Sequence, residues 1–250
     1  ESEPEPTPTA APVAEGPTIV TTTSLWADLV TALTCNGLAS VKALMPSGAD
    51  PHAYQPSLAD RAALETADLV VMNGLVEEGF EPMIRSVEQE GTAVFRTIDH
   101  VETLLLADEH GHDHGHDHGE EGVDPHLWMD PVRVSEILPK LTKQIIEAGR
   151  LDSASLQACL DQTQLLLAKL DEEIRVMVAD VPTGQRKFVA NHASLEYFAD
   201  RYGLEMIGTV VPSTSTLAAS NPAYLEQLGD RMKASGVSVI LVDAGESSKD

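Results

Sequence analysis

From Thr18 onward, short apolar runs alternate with stretches in which apolar residues recur at helical spacing. Residues 18–23 are a β-branched run that predicts a strand, and Leu25, Trp26, Leu29, Val30 and Leu33 follow as one helix face with Ser24 as the expected cap. Residues 41–45, 68–72 and 92–95 predict three more strands. Between them lie a helix opened by Ser57, with Leu58, Ala62, Leu64 and Ala67 inside, and a short helix carrying Glu77, Glu78, Phe80, Met83 and Ile84. Strands that alternate with helices predict an α/β fold with a parallel sheet flanked by helices, and such sheets bind ligands at the carboxyl ends of their strands.

The pattern then changes. Pro131 opens a helix with Val134, Ile137, Leu138, Leu141, Ile145 and Ile146 at helical spacing, ending at Gly149. A second helix starts at Asp152 or Ser153 and runs to about Ala179, with Leu156, Leu160, Leu167, Leu170, Ile174 and Met177 as its stripe. At ~1.5 Å per residue it spans about 40 Å, enough to join two lobes as a rigid spine. A second α/β set follows, with strands over 187–190, 205–211 and 238–243, a helix over 194–202 and another from Asn221. The expected organisation is a tether over 1–16, an N-terminal lobe over 17–150, an interlobe helix over 151–180 and a C-terminal lobe over 181–250. The last lobe stops just after a strand and is expected to be incomplete.

Composition sharpens this picture in three places. Residues 1–16 are dominated by Pro, Glu, Thr and Ala and predict a disordered tether of the kind left after signal-peptide removal, with a lipid-bearing cysteine expected upstream of Glu1. The chain carries 16 basic and 40 acidic residues, a formal charge of −24, which disfavours nucleic acid and anionic lipid as partners. No apolar run is long enough to span a bilayer. Cys35 and Cys159 are too few and too far apart for a metal knuckle. They pair if the protein is exported, and are two separate thiols if it is not.

The candidate chemistry lies in the histidines. Asp50-Pro51-His52 and Asp124-Pro125-His126 share a context in which proline stiffens the loop and holds the imidazole at a fixed angle. His192 follows the predicted strand over 187–190. Three neutral imidazoles on rigid loops suit a borderline-soft divalent ion, Zn2+ above all, with Mn2+ as the alternative. Asp50, Asp124 and Asp130 are candidate acceptors that orient those rings. Between the two Asp-Pro-His elements, His110, His112, His114, His116 and His118 alternate with Gly and Asp in a segment, 107–122, that predicts a flexible auxiliary metal-collecting loop. Zinc-protease, phosphate-loop, Gly-x-Ser-x-Gly and Cys-x-x-Cys motifs are absent, which argues against an enzyme.

These residues carry a family resemblance. The stretch 48–57 with Asp60, and the stretch 124–131, resemble the two metal-binding signatures of the zinc/manganese solute-binding proteins of metal ABC transporters. The histidine-rich segment resembles that of zinc-type members, and Asn191-His192 with Tyr197, Phe198 and Tyr202 resembles the third-ligand segment. The resemblance implies two α/β lobes joined by one rigid helix, with metal held in the cleft by His52, His126 and His192. It further implies a monomeric extracytoplasmic protein, periplasmic or lipid-anchored, that delivers Zn2+ to a membrane ABC permease. A histidine rather than a carboxylate at position 192 tips the expectation to zinc over manganese or iron. The fourth ligand implied by the resemblance is a carboxylate beyond residue 250, with a water or a histidine of the 110–118 segment as the alternatives. A surface adhesin or metal buffer without transport, and a zinc hydrolase, are the other classes that the sequence leaves open.

Overall fold

The computed structural model describes residues 16–105 and 122–243. The expected tether up to residue 15 and the five alternating histidines, His110 to His118, lie outside them.

The first lobe is a four-stranded parallel sheet. Its strands are β1 (Thr18–Thr21), β2 (Ser40–Ala43), β3 (Leu69–Met72) and β4 (Ala93–Arg96), in the order β2-β1-β3-β4. Side chains alternate across the sheet, so both faces need cover. Ile19, Leu69, Val71 and Phe95 face one core with Trp26, Val30 and Leu33 of α1 (Ser24–Leu33). Ile137, Leu138, Leu141 and Ile145 of α4 (Pro131–Gly149) complete that core. Val20, Val70 and Met72 face the other, against Leu64 of α2 (Leu58–Glu65) and Ile84 and Val87 of α3 (Glu81–Gln89). Each such aliphatic side chain, fully buried, contributes roughly 1.5–3 kcal/mol.

Local chemistry sets the helix starts. The cap of α1 is Thr23, whose hydroxyl accepts from the Trp26 N–H, one residue earlier than the expected Ser24. Ser57 caps α2 as expected and forms a reciprocal capping box with Asp60. The helix expected to include Glu77 and Glu78 begins only at Glu81. Glu77 is buried at the end of β3 instead, where it accepts from the Thr22 hydroxyl at 2.7 Å and from the N–H groups of Asn73 and Gly74 at 3.0 and 2.9 Å. Burial pushes its carboxyl pKa up while those three donors oppose the shift.

The second lobe has a three-stranded parallel sheet, β6 (Glu205–Thr209), β5 (Lys187–Ala190) and β7 (Ile240–Leu241), in that order, with α6 (Glu196–Tyr202) and α7 (Pro222–Ser235). β6 and β7 are shorter than the sequence pattern predicts. The long helix α5 (Ser153–Ala179) links the lobes, capped by Asp152. Its expected stripe is only half used. Leu156 and Leu160 are buried in the first lobe's core, whereas Leu170 and Met177 are 44% and 61% exposed. Farther along, Asp171 ties α5 to Arg201 of α6 at 3.1 Å. Cys35, just after α1, and Cys159, in the second turn of α5, form a disulfide with Cα atoms 5.6 Å apart.

Candidate metal centre

All three histidines singled out in the sequence lie beyond the carboxyl ends of parallel strands, and the fold brings them together. His52 comes from the loop after β2, His126 from the segment between β4 and α4, and His192 from just after β5. Their exposures are 5%, 1% and 4%. One nitrogen from each falls in a set whose members all lie within 4.8 Å of one another. His52 Nε2 and His126 Nε2 are 3.4 Å apart. Two nitrogens that bind zinc tetrahedrally at about 2.0–2.1 Å are about 3.3–3.4 Å apart, so this pair already has the spacing of two ligands. The rings border a cavity of about 300 Å³ shared with Trp128, Met129, Ser194 and Asp243.

The two Asp-Pro-His elements fold alike at the backbone. Asp50 Oδ1 accepts the His52 N–H at 2.9 Å, and Asp124 Oδ1 accepts the His126 N–H at 2.9 Å, each closing an Asx turn. They differ at the ring. Asp124 Oδ1 also lies 2.8 Å from His126 Nδ1, which places a proton on Nδ1 and leaves the Nε2 lone pair facing the cavity. Asp50 instead turns its second oxygen to the Thr216 hydroxyl, at 2.6 Å. The expectation that Asp130 orients a histidine does not hold. Its carboxylate caps α4 through the N–H groups of Val132 and Arg133 and pairs with Arg133 and Arg201, because Pro131 starts a helix that needs an acceptor there.

Three further residues complete the centre: Asn73, Asp243, and Tyr197 of the third-ligand segment. Asn73 Nδ2 donates to the Pro125 carbonyl at 2.8 Å and so holds the second Asp-Pro-His loop against the end of β3. The buried Tyr197 hydroxyl of α6 donates to the Asp124 carbonyl at 2.8 Å and accepts the Leu104 N–H at 3.0 Å, fastening one lobe to the other. Asp243 Oδ2 stands 4.0 Å from His192 Nδ1 at the cavity margin. A polar side chain far away in sequence leaves no periodic signal, so Asn73 and Asp243 were not legible beforehand, and Tyr197 was marked only through the family resemblance of its segment.

Burial keeps His52 and His192 neutral. It pushes the His52 pKa down to about 4, helped by His126 and His192, and the His192 pKa down to about 4, helped by His126. Both rings therefore offer lone pairs rather than charge at neutral pH. In the unfolded chain they return to about 6.5. Between those two values the unfolded state binds more protons, so the stability of the metal-free protein is complete above pH ~6.5 and declines as pH falls towards 4. Thermal melts of chelator-treated protein at several pH values in this window should show that decline, with a shallower slope in His192→Gln. Equal slopes would remove the imidazoles as its cause.

Comparison with known proteins places this geometry in context. The family model of the periplasmic zinc-uptake complex component A, ZnuA, matches residues 19–250. The high-affinity zinc uptake system protein ZnuA of Bacillus subtilis is 30% identical over 215 residues, 84% of this chain and 65% of its own length. The manganese-binding lipoprotein MntA of Halalkalibacterium halodurans is 25% identical over 231 residues, 92% of this chain and 71% of its own. The chain thus spans about two thirds of the length of these relatives. The solved structure of the periplasmic zinc-binding protein TroA from Treponema pallidum shares the fold, with a TM-score of 0.72 at 23% identity, covering 94% of this chain and 92% of that one.

Proposed function

The chain belongs to the ZnuA family of periplasmic metal-binding components of ABC transporters, and from that premise we propose that it captures Zn2+ outside the cytoplasm and delivers it to a membrane ABC permease. His52, His126 and His192 are the ligands in this reading. The observation that carries it is the convergence of three buried imidazole nitrogens within 4.8 Å, contributed by both lobes. Buried rings with depressed pKa values are ready to bind without first losing a proton. A nitrogen-only donor set favours zinc over manganese, which prefers carboxylate and water oxygen.

The manganese alternative rests on a specific point: relatives of this chain carry either zinc or manganese in their names. Asp243 at the cavity margin, 4.0 Å from His192 Nδ1, is a carboxylate of the kind that second chemistry uses. The extracytoplasmic setting is supported by the periplasmic and lipoprotein designations of the family and of MntA. It is also supported by the disulfide, since such bonds persist in oxidising compartments. No helix among the described residues is long and apolar enough to cross a membrane.

A competition titration of chelator-stripped protein decides the cargo. The expected result is zinc binding at least about a hundredfold tighter than manganese, in keeping with the ordering of affinities at nitrogen sites. A variant lacking 110–118 should retain that binding. Equal or reversed preference would move the assignment to manganese, and binding abolished by loop removal would move the principal site to the loop.

A further inference from the structure

We propose that Thr216 is a positioning residue for this centre, a latch in the second lobe that holds the first Asp-Pro-His loop across the cavity and thereby sets how fast a bound ion leaves. The proposal rests on the metal-binding reading given above. Its basis is the asymmetry between two otherwise matching elements. Asp124 uses one oxygen for both the N–H and the ring of His126. Asp50 divides its oxygens, one to the His52 N–H at 2.9 Å and the other to the Thr216 hydroxyl at 2.6 Å. Among the described residues, His52 Nδ1 has no hydrogen-bond partner, so no acceptor fixes it in the way that Asp124 fixes Nδ1 of His126. The loop is in turn held by Thr216, 166 positions away in the chain.

Thr216 sits at the end of a hydrogen-bonded path that begins beside His192. The Ala193 N–H donates to the Ser213 carbonyl at 2.9 Å, and the Ser215 N–H donates to the Ser213 hydroxyl at 3.0 Å. The path crosses to the first lobe at Thr216 and Asp50 and ends at the His52 N–H. This path links the backbone beside His192 to that of His52, and its step between the lobes is the Thr216 hydroxyl. Among the described residues, Tyr197 to the Asp124 carbonyl and Arg201 to the Asp130 carboxylate also join the lobes, both on the side of the second Asp-Pro-His element, whereas Thr216 reaches the first. Such a contact is absent from the ligand set, so it acts on release more than on the chemistry of coordination.

The test compares wild type, Thr216→Val and Thr216→Ser. Zinc-loaded protein is mixed with excess chelator in a stopped-flow instrument, and hydrogen exchange of residues 48–54 and 213–218 is followed in metal-free protein. Thr216→Val should release zinc about tenfold faster, the effect of losing one hydrogen bond to a carboxylate. It should exchange faster in both loops, and melt at nearly the wild-type temperature. Thr216→Ser, which keeps the hydroxyl, should restore the slow release. An unchanged release rate in Thr216→Val overturns the proposal, as does failure of serine to restore it. Should wild type bind no zinc, the metal reading falls, and exchange alone decides the latch: equal protection in valine and wild type overturns it.

Discussion

Replacing His126 with alanine is expected to weaken zinc binding by more than about a hundredfold, a larger loss than that of any other single side chain in the cavity. The comparison is with the outer partners of metal-bound histidines, whose removal costs about 10–100-fold, and loss of a ligand itself exceeds that range. His126 is singled out because it is the most enclosed of the three at 1% exposure and because the Asp124 carboxylate lies 2.8 Å from its ring Nδ1. Its Nε2 also forms the 3.4 Å pair with His52, so its removal leaves His52 and His192 without the nitrogen that completes a facial set. Isothermal titration with a competing chelator measures the change directly. Wild-type affinity in His126→Ala would mean that the cavity is not the principal site. Melting of the metal-free variant should accompany the titration, since a folded but non-binding protein is the informative outcome.

Removing the Cys35–Cys159 disulfide is expected to cost up to roughly 4–5 kcal/mol of unfolding free energy, because the bridge closes a very long loop of the unfolded chain. The two cysteines are 124 positions apart. The chain-entropy argument is a ceiling, and residual structure in the unfolded state reduces it. The bridge has a local consequence as well. It pins the second turn of α5 to the end of α1, in the same region where Leu156 and Leu160 enter the first core. Beyond that point α5 has few buried side chains. The double variant Cys35→Ser, Cys159→Ser should therefore unfold at markedly lower denaturant concentration, and exchange of α5 amides should rise first. An unchanged denaturation midpoint would show that packing alone holds the helix.

How much of this was legible in the sequence follows from the range over which each signal acts. Hydrophobic periodicity and capping residues act over a few positions, so β1 to β5 and α4, α5 and α7 are legible to within a few residues. The starts of α1 and α3 are not, because neighbouring positions compete for a cap, and Glu77 is drawn off to unpaired N–H groups at a strand end. The inner half of the α5 stripe was legible and the outer half was not. Periodicity reports which residues share a face, and only the partner surface decides whether that face is covered.

The centre divides in the same way. The sequence by itself singled out His52, His126 and His192 as candidate metal ligands, because Asp-Pro-His stiffens a loop within three residues and His192 follows a strand. It also determined the alternating α/β order that puts loops at the carboxyl edges of sheets. Only the tertiary structure decided that the three rings meet, at 3.4 Å for one pair, and that Asp124 serves the ring of His126 while Asp50 serves Thr216 and Asp130 serves a helix. The physical reason is that a carboxylate's hydrogen-bond partner is whichever donor the packing brings within reach, which for Asp124 is the ring of its own loop's His126 and for Asp50 is Thr216 of the other lobe.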